Sequence, residues 1–424
     1  MCSKNFTKVW IIVGLVWFNL PVRAEPADAL RMRDCVRIAL ARHLLLQSST
    51  QRHRAVVARV DQAGAVPPPS LAFDSDLQSK PFNFFGSKES YFGITQLFEF
   101  PGKRSVRKEI AYREADEAEI EIALLKSEVT YETQMSFYEV LLAEERLKYR
   151  REELKLSHEF LEHTRAQHES GEGTRVEVLR AMMEVSKAAS ALKFAENEVR
   201  LARARLNFRL GRPSNQKLQL VLEPRPSLSS FHLYELQEKA LSARPELRRQ
   251  KALVEKEKLR ERQARLSKWP DLDLGFARHT LKGEQSTWDV TLAVPLPFLF
   301  GQPRKGEMAE ARLNREALVA ETEHLSNVVR LEVEEAYLNA QGADEQIRLI
   351  ESQVLKQAEE LHDLFLSSDE ERENGCIEKI EARRNLLEAR NLHAESIHAY
   401  LVSLALLEKC VGQTLTEVER EGQQ

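Results

Sequence analysis

The chain has 424 residues, of which 30% are charged and 42% are hydrophobic, and it contains only 16 glycines and 15 prolines. This composition favours long helices over a loop-rich sandwich. The formal net charge of −4 provides no basic surplus to neutralise phosphates, which argues against nucleic acid as a partner. Four cysteines without a C-x-x-C pair exclude a disulfide scaffold.

Residues 1–24 have the three parts of a secretory signal peptide. Lys4 and Lys8 precede an apolar run from Val9 to Leu20, and the segment ends with the small residue Ala24. We predict cleavage after Ala24, because the apolar run is too short to span a bilayer core of about 30 Å. The mature chain would carry a net charge of −7, and it contains no later run of 18 apolar residues.

The sequence after this leader repeats itself at a spacing of about 200 residues. Ala39-Leu40 matches Ala240-Leu241, and Pro69-Ser70-Leu71 matches Pro270-Asp271-Leu272, in both cases 201 positions later. An offset shared by distant segments indicates two copies of one structural unit. We predict a first copy at 25–222, a linker at 223–230, a second copy at 231–413 and a tail at 414–424.

Each copy predicts the same succession of elements. A helix of about 30 residues is followed by a proline break, at Pro67-Pro68-Pro69 and at Pro270. Two short segments of alternating polarity come next, then a long charged helix, a tight turn and a returning helix. The segment from Lys103 to Ser170 has 68 residues without a proline. As one helix it would be about 100 Å long.

The returning helices carry small residues at alternate positions of a heptad seam, with steps of three and four residues. The first seam comprises Val178, Ala181, Val185, Ala188, Leu192, Ala195, Val199, Ala202 and Leu206. The second comprises Ala382, Leu386, Ala389, His393, Ser396, Tyr400, Ser403 and Leu407. Small side chains let two helices approach closely, so we predict two antiparallel helical hairpins per chain, with His393 packed in the second seam rather than binding a ligand.

Four segments alternate between apolar and polar residues, a pattern typical of strands in outer-membrane barrels. They lie around residues 71–78, 92–98, 271–276 and 289–296. We predict that their apolar side chains face lipid and that their acidic side chains face the barrel lumen. These acids are Asp74, Asp76, Asp273 and Asp289. For any one strand alone, a half-buried sheet in a soluble domain is the alternative.

Four strands cannot close a membrane barrel, because the smallest barrels have about eight. Open sheet edges in lipid would leave backbone groups unpaired, at several kcal/mol each. If the strands are in a membrane, several chains must therefore share one barrel. Three chains would supply 12 strands, and cyclic symmetry would close the sheet.

This combination resembles the TolC-like outer-membrane efflux protein family, over nearly the whole mature chain. The matching segments are Ala240-Leu241 with Pro245-Glu246-Leu247, the prolines Pro69 and Pro270 before the strands, Gly102-Lys103-Arg104, the turn from Gly171 to Leu179, and Leu210-Gly211-Arg212-Pro213. The sequence FPGKR at residues 100–104 is most similar to the corresponding segment in the heavy-metal cation efflux branch of the family.

The resemblance implies a mainly α fold with a small membrane β part. Long antiparallel helical hairpins would form a trimeric α-barrel, and four strands per chain would join a shared 12-stranded β-barrel. It implies a homotrimer in the outer-membrane lipid of a Gram-negative-type bacterium, with a large periplasmic part. The linker would lie in the equatorial region.

The resemblance also implies a function. The trimer would be the outer-membrane channel of a tripartite efflux system, a passive duct that receives substrate from a periplasmic adaptor protein and an inner-membrane pump. Heavy-metal cations are the cargo that the branch suggests. The alternatives are a periplasmic coiled-coil adaptor or scaffold protein, and a duct for drugs or secreted proteins.

The first hairpin turn is the predicted adaptor-docking tip. Thr174 can cap the returning helix, with Glu177 completing a capping box three residues later. Gly171 and Gly173 would supply the conformations of a tight turn, and Arg175 would be exposed at the tip. The docking role rests on the resemblance, and the alternative is a turn without a partner.

The second hairpin turn is the predicted channel gate. Asp369, Glu370, Glu371 and Glu373 crowd five positions of this turn, with Arg372 between them. In a three-fold assembly each acid would occur three times around one axis, and rings of carboxylates select cations. A solvated acidic loop outside the tunnel is the alternative.

The sequence contains none of the common motifs of enzymes and nucleotide-binding proteins, such as G-x-x-x-x-G-K-[ST], H-E-x-x-H and G-x-S-x-G. We therefore predict a protein that is not an enzyme, without a cofactor or a metal site.

Overall fold

A computed structural model describes residues 29–75, 89–222, 228, 231–295, 302–367 and 375–415. The predicted signal peptide and most of the predicted tail lie outside these residues. The first half of the chain contains α1 (Met32–Arg42), α2 (Leu44–Gly64), β1 (Ser70–Ser75), β2 (Glu89–Phe98), α3 (Lys103–Ser170) and α4 (Arg175–Arg209). The second half contains α5 (Leu233–Ala243), α6 (Pro245–Leu266), β3 (Leu272–Leu281), β4 (Thr287–Ala293), α7 (Gln302–Leu349), a π-helical segment (Ile350–Leu355), α8 (Lys356–Ser367) and α9 (Gly375–Val411).

The first helix of each half is broken in two, so the prediction of one helix of about 30 residues was wrong. The breaks lie at His43 (ψ 113°) and Arg244 (ψ 125°). Pro245 accounts for the second break, because a proline moves the residue before it out of the helical conformation. No proline marks the first break, which lies against the turn after α4. Gly211 lies so close to it that an added Cβ would be 3.1 Å from the Cβ of Arg42.

The 68-residue rod and the seam of the first hairpin are confirmed. α3 runs unbroken from Lys103 to Ser170 and packs against α4 along the hairpin. Most of the seam is enclosed, since Ala181, Ala188 and Ala195 are at most 5% exposed, and Val199 and Leu206 near the C-terminal end of α4 are 4% and 0% exposed. By contrast, the larger Val178 and Val185 are half-buried. The two helix axes therefore approach at the alanines, as the sequence indicated.

The second hairpin is less regular than the first. Its descending helix passes from α7 through six residues of π-helix into α8, where α3 in the first half stays α-helical. The seam on α9 is buried as predicted at Ala382, Leu386 and Ala389. His393 is half-buried on this seam, and its Nε2 lies 3.0 Å from Oε1 of Glu351 in the π-helical segment. The pattern of small and large residues along the seam did not predict the π-helical segment.

The two halves bury equivalent residues, which shows that the sequence repeat is also a repeat of packing. Six buried residues of the first core each have a buried counterpart 201 positions later. The first set is Cys35, Ala39, Leu46, Val199, Leu206 and Leu210, and the second is Leu236, Ala240, Leu247, Tyr400, Leu407 and Val411.

The helical layer is continuous from one half to the other. α3 packs against α4 on one side and α9 on the other, and α9 packs against α7. Ion pairs connect α3 with α9 along their length, at Glu128–Lys409 (2.6 Å), Arg146–Glu395 (2.9 Å) and Glu159–Arg383 (2.8 Å). Of the helices in the described ranges, none is apolar over a length that could cross a membrane.

The strands form one antiparallel sheet in the order β1-β2-β3-β4, with the two halves meeting at β2 and β3. β2 and β3 have the expected length of about ten residues, but β4 has only seven. The sequence predicted that the fourth strand extends to about residue 296. It ends at Ala293 instead, since Pro295 cannot donate a ladder hydrogen bond.

Candidate functional site

The sheet has one strongly apolar face, and that face is exposed. Its cross-strand rows include Phe73 beside Phe92, and Ile94 beside Phe276 and Val290. Eleven large apolar side chains on this face are between 43% and 72% exposed. They are Leu71, Phe73, Phe92, Ile94, Phe98, Leu272, Leu274, Phe276, Trp288, Val290 and Leu292. A soluble monomer rarely exposes so continuous an apolar surface, so this face has a partner outside the chain.

The height of this face matches that of a membrane-facing band. On β2 it runs from Phe92 to Phe98, about 20 Å at 3.3 Å per residue. Towards its upper end, the end at which β2 begins, the same face turns polar: Arg278 pairs with Phe92 in the last apolar row, and Ser90 pairs with Thr280 beyond it. An outward apolar band of about 25 Å is characteristic of strands that cross an outer membrane.

The opposite face carries the predicted acidic residues. Asp74, Asp273 and Asp289 all point to this side by strand alternation, and Asp76 lies outside the described residues. Asp74 and Asp289 lie in adjacent rows near the upper end. Asp273 lies four residues below the row of Asp289, a distance of about 13 Å along β3. The three acids therefore share a face without forming one cluster.

Sequence reasoning missed three residues that dominate the upper end of this polar face. The rings of Tyr91 and His279 stack at 4.1 Å between centroids, with an angle of 4°. The Tyr91 hydroxyl donates to Oε1 of Glu89 at 2.9 Å, and His279 Nε2 lies 2.9 Å from the same oxygen. Extending the alternation of the third strand beyond Phe276 would have placed His279 on the polar face.

The polar face is lined by small residues where two strands approach closely. Gly93 pairs with Ala277, and a Cβ on Gly93 would lie 2.7 Å from the Cβ of Ala277. Small side chains on one face and large ones on the other suit a sheet that curves towards its polar side. Among the described residues, no group of three or more His, Cys, Asp or Glu side chains is arranged to hold a metal ion.

The first hairpin turn has the predicted capping box. The Thr174 hydroxyl accepts from the backbone N–H of Glu177 at 3.3 Å, and the N–H of Thr174 donates to the Glu177 carboxylate at 2.7 Å. The hydrogen bond that the Thr174 N–H donates to the carboxylate, and to a smaller extent the Thr174 side chain, hold the pKa of Glu177 below its usual value. Arg175 is exposed beside them.

Gly171 and Gly173 are required in this turn for different structural reasons. Gly171 ends α3 in the left-handed region (φ +88°), and the N–H of Glu172 donates to the carbonyl of Gln167 at 2.9 Å. Gly173 does not have a positive φ, so the prediction of a special conformation there was wrong. Its lack of a side chain serves close packing instead, because a Cβ would lie 3.1 Å from the backbone nitrogen of His168.

The predicted gate residues, Asp369, Glu370, Glu371 and Glu373, lie outside the described residues. The structure describes the two helices that flank them, since α8 ends at Ser367 and α9 begins at Gly375.

Comparison with known proteins gives the family. The sequence model of the family described as "Outer membrane efflux protein" matches the chain twice, at residues 35–212 and 236–413. The cobalt-zinc-cadmium resistance protein CzcC of Cupriavidus metallidurans is 24% identical over 377 residues, which cover 86% of each chain.

Solved structures share the fold. The MtrE outer membrane channel of Neisseria gonorrhoeae in its open state superimposes with a TM-score of 0.73 at 16% identity, over 91% of this chain and 89% of that one. The outer membrane protein VceC of Vibrio cholerae gives 0.72 at 15% identity, over 90% and 96%. The chain belongs to the outer membrane efflux protein family and is an outer-membrane channel of a tripartite efflux system, with a large periplasmic part.

Proposed function

We propose that three copies of the chain close into a passive duct, which carries heavy-metal cations from a periplasmic adaptor and an inner-membrane pump to the exterior. The observation that carries the proposal is that both layers of the chain are open at two edges. In the sheet the edges are β1 and β4, and in the helical layer the outer helices are α4 and α7. Head-to-tail contacts between such edges generate a closed ring when the rotation between neighbouring copies closes after a whole number of copies.

The two outer helices carry matching apolar stripes. On α4, Phe194, Leu201 and Phe208 follow each other at seven-residue spacing and are 54–75% exposed. On α7, Leu331 and Leu338 have the same spacing and are 54% and 55% exposed. Stripes with a seven-residue repeat are what helices use to pack side by side.

The repeat also places these stripes at one height. Arg209 of α4 pairs with Glu132 of α3 at 2.6 Å, and Glu332 of α7 is the residue 200 positions after Glu132. Phe208 of one copy would therefore meet Leu331 of the next. The three four-stranded sheets would then join as a 12-stranded barrel, with the apolar face in lipid and the polar face around the lumen.

Cross-linking tests the ring. A Phe208→Cys, Leu331→Cys double variant should give covalent dimers and trimers in outer-membrane fractions, and no larger species. Phe194→Cys with Leu331→Cys is the control pair and should not cross-link, since these residues would lie at different heights. Cys35 and Cys410 are buried, and burial raises the pKa of the Cys35 thiol to about 11, so neither competes, and Cys376 is replaced by Ser in every variant. Larger species, or cross-linking of the control pair, would contradict the ring.

Heavy-metal cations are the proposed cargo because of the relative CzcC and because of the acids on the polar face. In a trimer Asp74, Glu89 and Asp289 would form carboxylate rings, which attract cations and repel anions. Single-channel recordings in planar bilayers should show cation selectivity, and Asp74→Asn with Asp289→Asn should reduce it. A reversal potential unchanged by both substitutions would favour a duct for drugs or secreted proteins.

The adaptor is proposed to dock at the first hairpin turn. Arg175 is exposed there, and Val176 and Leu179 are 56% and 51% exposed, so the tip offers charged and apolar contacts together. Arg175→Glu should reduce cross-linking to the adaptor and leave the trimer intact. Unchanged cross-linking and transport would place the contact elsewhere.

The gate is proposed at the second hairpin turn, on the strength of its acidic sequence. Replacing Asp369, Glu370 and Glu373 by Asn or Gln should raise the closed-state conductance and lower the cation preference. Wild-type values of conductance and reversal potential would assign the acidic run to the outside of the tunnel.

A further inference from the structure

A basic patch lies immediately below the apolar face of the sheet. We propose that it binds the phosphate groups of anionic phospholipids in the periplasmic leaflet. The basal patch comprises Arg104, Lys268, Trp269 and Lys305. The proposal rests on the apolar face lying in the outer membrane.

Chain connectivity places this patch at the lower edge of the apolar face. Phe98 and Leu272 are register partners and form the last apolar row. Trp269 lies three residues before Leu272, and Arg104 lies six residues after Phe98. Lys103 bridges the two segments, since its Nζ donates to the carbonyl of Trp269 at 2.8 Å.

Lys305 joins the patch from the second half. It lies in the first turn of α7, and α7 is near the end of α6 at this level. The Ser267 hydroxyl lies 3.5 Å from the carboxylate of Glu307, two residues after Lys305. Three segments of the chain thus bring exposed cations to one height.

Of the acids at this level, Asp271 and Glu99 are engaged by other cations, whereas Glu307 is exposed near the Ser267 hydroxyl. Asp271 accepts from Lys103 Nζ at 2.8 Å and from the backbone N–H of Phe100 at 2.7 Å. Glu99 accepts from Arg107 through both of its oxygens, one of them at 3.0 Å. Within the described parts of the chain, no carboxylate lies within ion-pair distance of Arg104, Lys268 or Lys305, and all three are exposed. Their charge is therefore available to an external anion.

Trp269 marks the depth of the patch in the membrane. Its ring is 55% exposed and stacks on Phe100 at 5.2 Å between centroids, with an angle of 8°. An anchored, half-exposed tryptophan is typical of the boundary between hydrocarbon and headgroups. Cations at this height meet lipid phosphates, and the guanidinium of Arg104 can bind a phosphate through two hydrogen bonds.

Lipid-dependent thermal stability tests the proposal. The purified full-length protein is placed in mixed micelles with phosphatidylglycerol or with phosphatidylethanolamine, and its unfolding is followed by circular dichroism. Phosphatidylglycerol should raise the Tm of the wild type by a few degrees more than phosphatidylethanolamine does. Arg104→Gln with Lys268→Gln should lose at least half of this difference, and 0.5 M NaCl should weaken it.

The control removes the same charge elsewhere. Arg151 and Lys187 are exposed on α3 and α4, far along the helices from the sheet, so Arg151→Gln with Lys187→Gln should keep the full lipid effect. Equal losses in both double variants would indicate a general charge effect and would overturn the proposal. Equal protection by inorganic phosphate alone would identify a site for a free anion and would overturn it as well.

The experiment distinguishes an error in the proposed lipid-binding patch from an error in the proposed membrane location of the apolar face. If the apolar face does not lie in a membrane, the wild type will not insert into planar bilayers at all. If only the patch is misassigned, the wild type and both double variants will insert and conduct alike, without a difference between the two lipids.

Discussion

The two hairpins of the chain have one sequence pattern and two different degrees of regularity. The first is an unbroken 68-residue helix, a turn with hydrogen bonds on both sides and a returning helix with buried alanines. The second has the π-helical segment midway down, with a cavity of about 540 Å³ beside it that is open to solvent. Repeated units usually diverge where their tasks differ, so the comparison indicates a rigid first hairpin and a deformable second one.

The second hairpin keeps its seam although its descending helix is irregular, and the cavity lies at the level of the irregularity. It lies between α3, α8 and α9 and is lined by Tyr149, Ala358, Ala389, Asn391 and Glu395, among others. A π-helical segment accommodates an additional residue, so the helix on each side keeps its register with α9. We expect the second hairpin to bend at this level, because its descending helix departs from α-helical geometry there.

The largest expected difference between the hairpins comes from deleting one residue. Deletion of Gln353 should convert the π-helical segment to α-helix and leave α7 and α8 in register, so the protein should still assemble. Deletion of Arg151 in α3 should rotate all later residues of the helix by about 100° and abolish the folded oligomer. Heat-modifiable migration of outer-membrane fractions measures both. Equal loss of assembly would show that the π-helical segment is indispensable to the fold.

The second difference concerns packing at equivalent alanines. Ala188 and Ala389 are 201 positions apart and are 5% and 4% exposed. Ala188→Leu should destabilise the protein by about 1–3 kcal/mol, because the first seam has no room for added methyl groups. Ala389→Leu should cost less, since Ala389 lines the cavity.

Thermal unfolding of the two alanine variants in one detergent decides between them. The Ala→Val variants at the same positions test whether the effect scales with added volume. A larger loss for Ala389→Leu than for Ala188→Leu would mean that the cavity is not usable space, and the second hairpin would then be as rigid as the first.

How far the sequence predicted this fold depends on the kind of interaction. Polarity alternation and the heptad seam reflect burial of whole faces, so they predicted the four strands, the long helix and both hairpins. They could not predict the break at His43, because no proline or glycine marks it in the sequence. The π-helical segment was missed for a similar reason, since it leaves the seam pattern on α9 intact.

The site was predictable to the same extent. Alternation placed Asp74, Asp273 and Asp289 on one face. The contacts among Glu89, Tyr91 and His279 depend on the register between β2 and β3, which joins residues about 190 positions apart. A single sequence does not specify that register.

A smaller effect is expected at the first hairpin turn. Thr174→Ala removes one side of the capping box and should cost about 1 kcal/mol. Because the pKa of Glu177 is lowered in the folded state, its contribution is present above the ordinary pKa of 4.5 and is lost as the pH falls through the lowered value. Protection of residues 174–178 against hydrogen exchange, corrected for intrinsic rates, should therefore fall as the pH is lowered from above 4.5 through the lowered pKa of Glu177. Glu177→Gln should remove this pH dependence, and a pH dependence that persists in that variant would assign it to another group.

The smallest expected effect on stability comes from His393→Leu, which makes the second seam resemble the first, where the residue 201 positions earlier is Leu192. The substitution removes the contact between His393 and Glu351 across the π-helical segment. Glu351 remains partly exposed and can be solvated, so the free energy of unfolding should change by less than about 1 kcal/mol. If the second hairpin is the deformable one, the added apolar contact should nevertheless reduce the frequency of channel opening in planar bilayers. Leu192→Met in the first hairpin is the matched control and should leave opening unchanged. A stability loss as large as that of Ala188→Leu would show that the His393–Glu351 contact is structural, and unchanged opening would place the movement away from the π-helical segment.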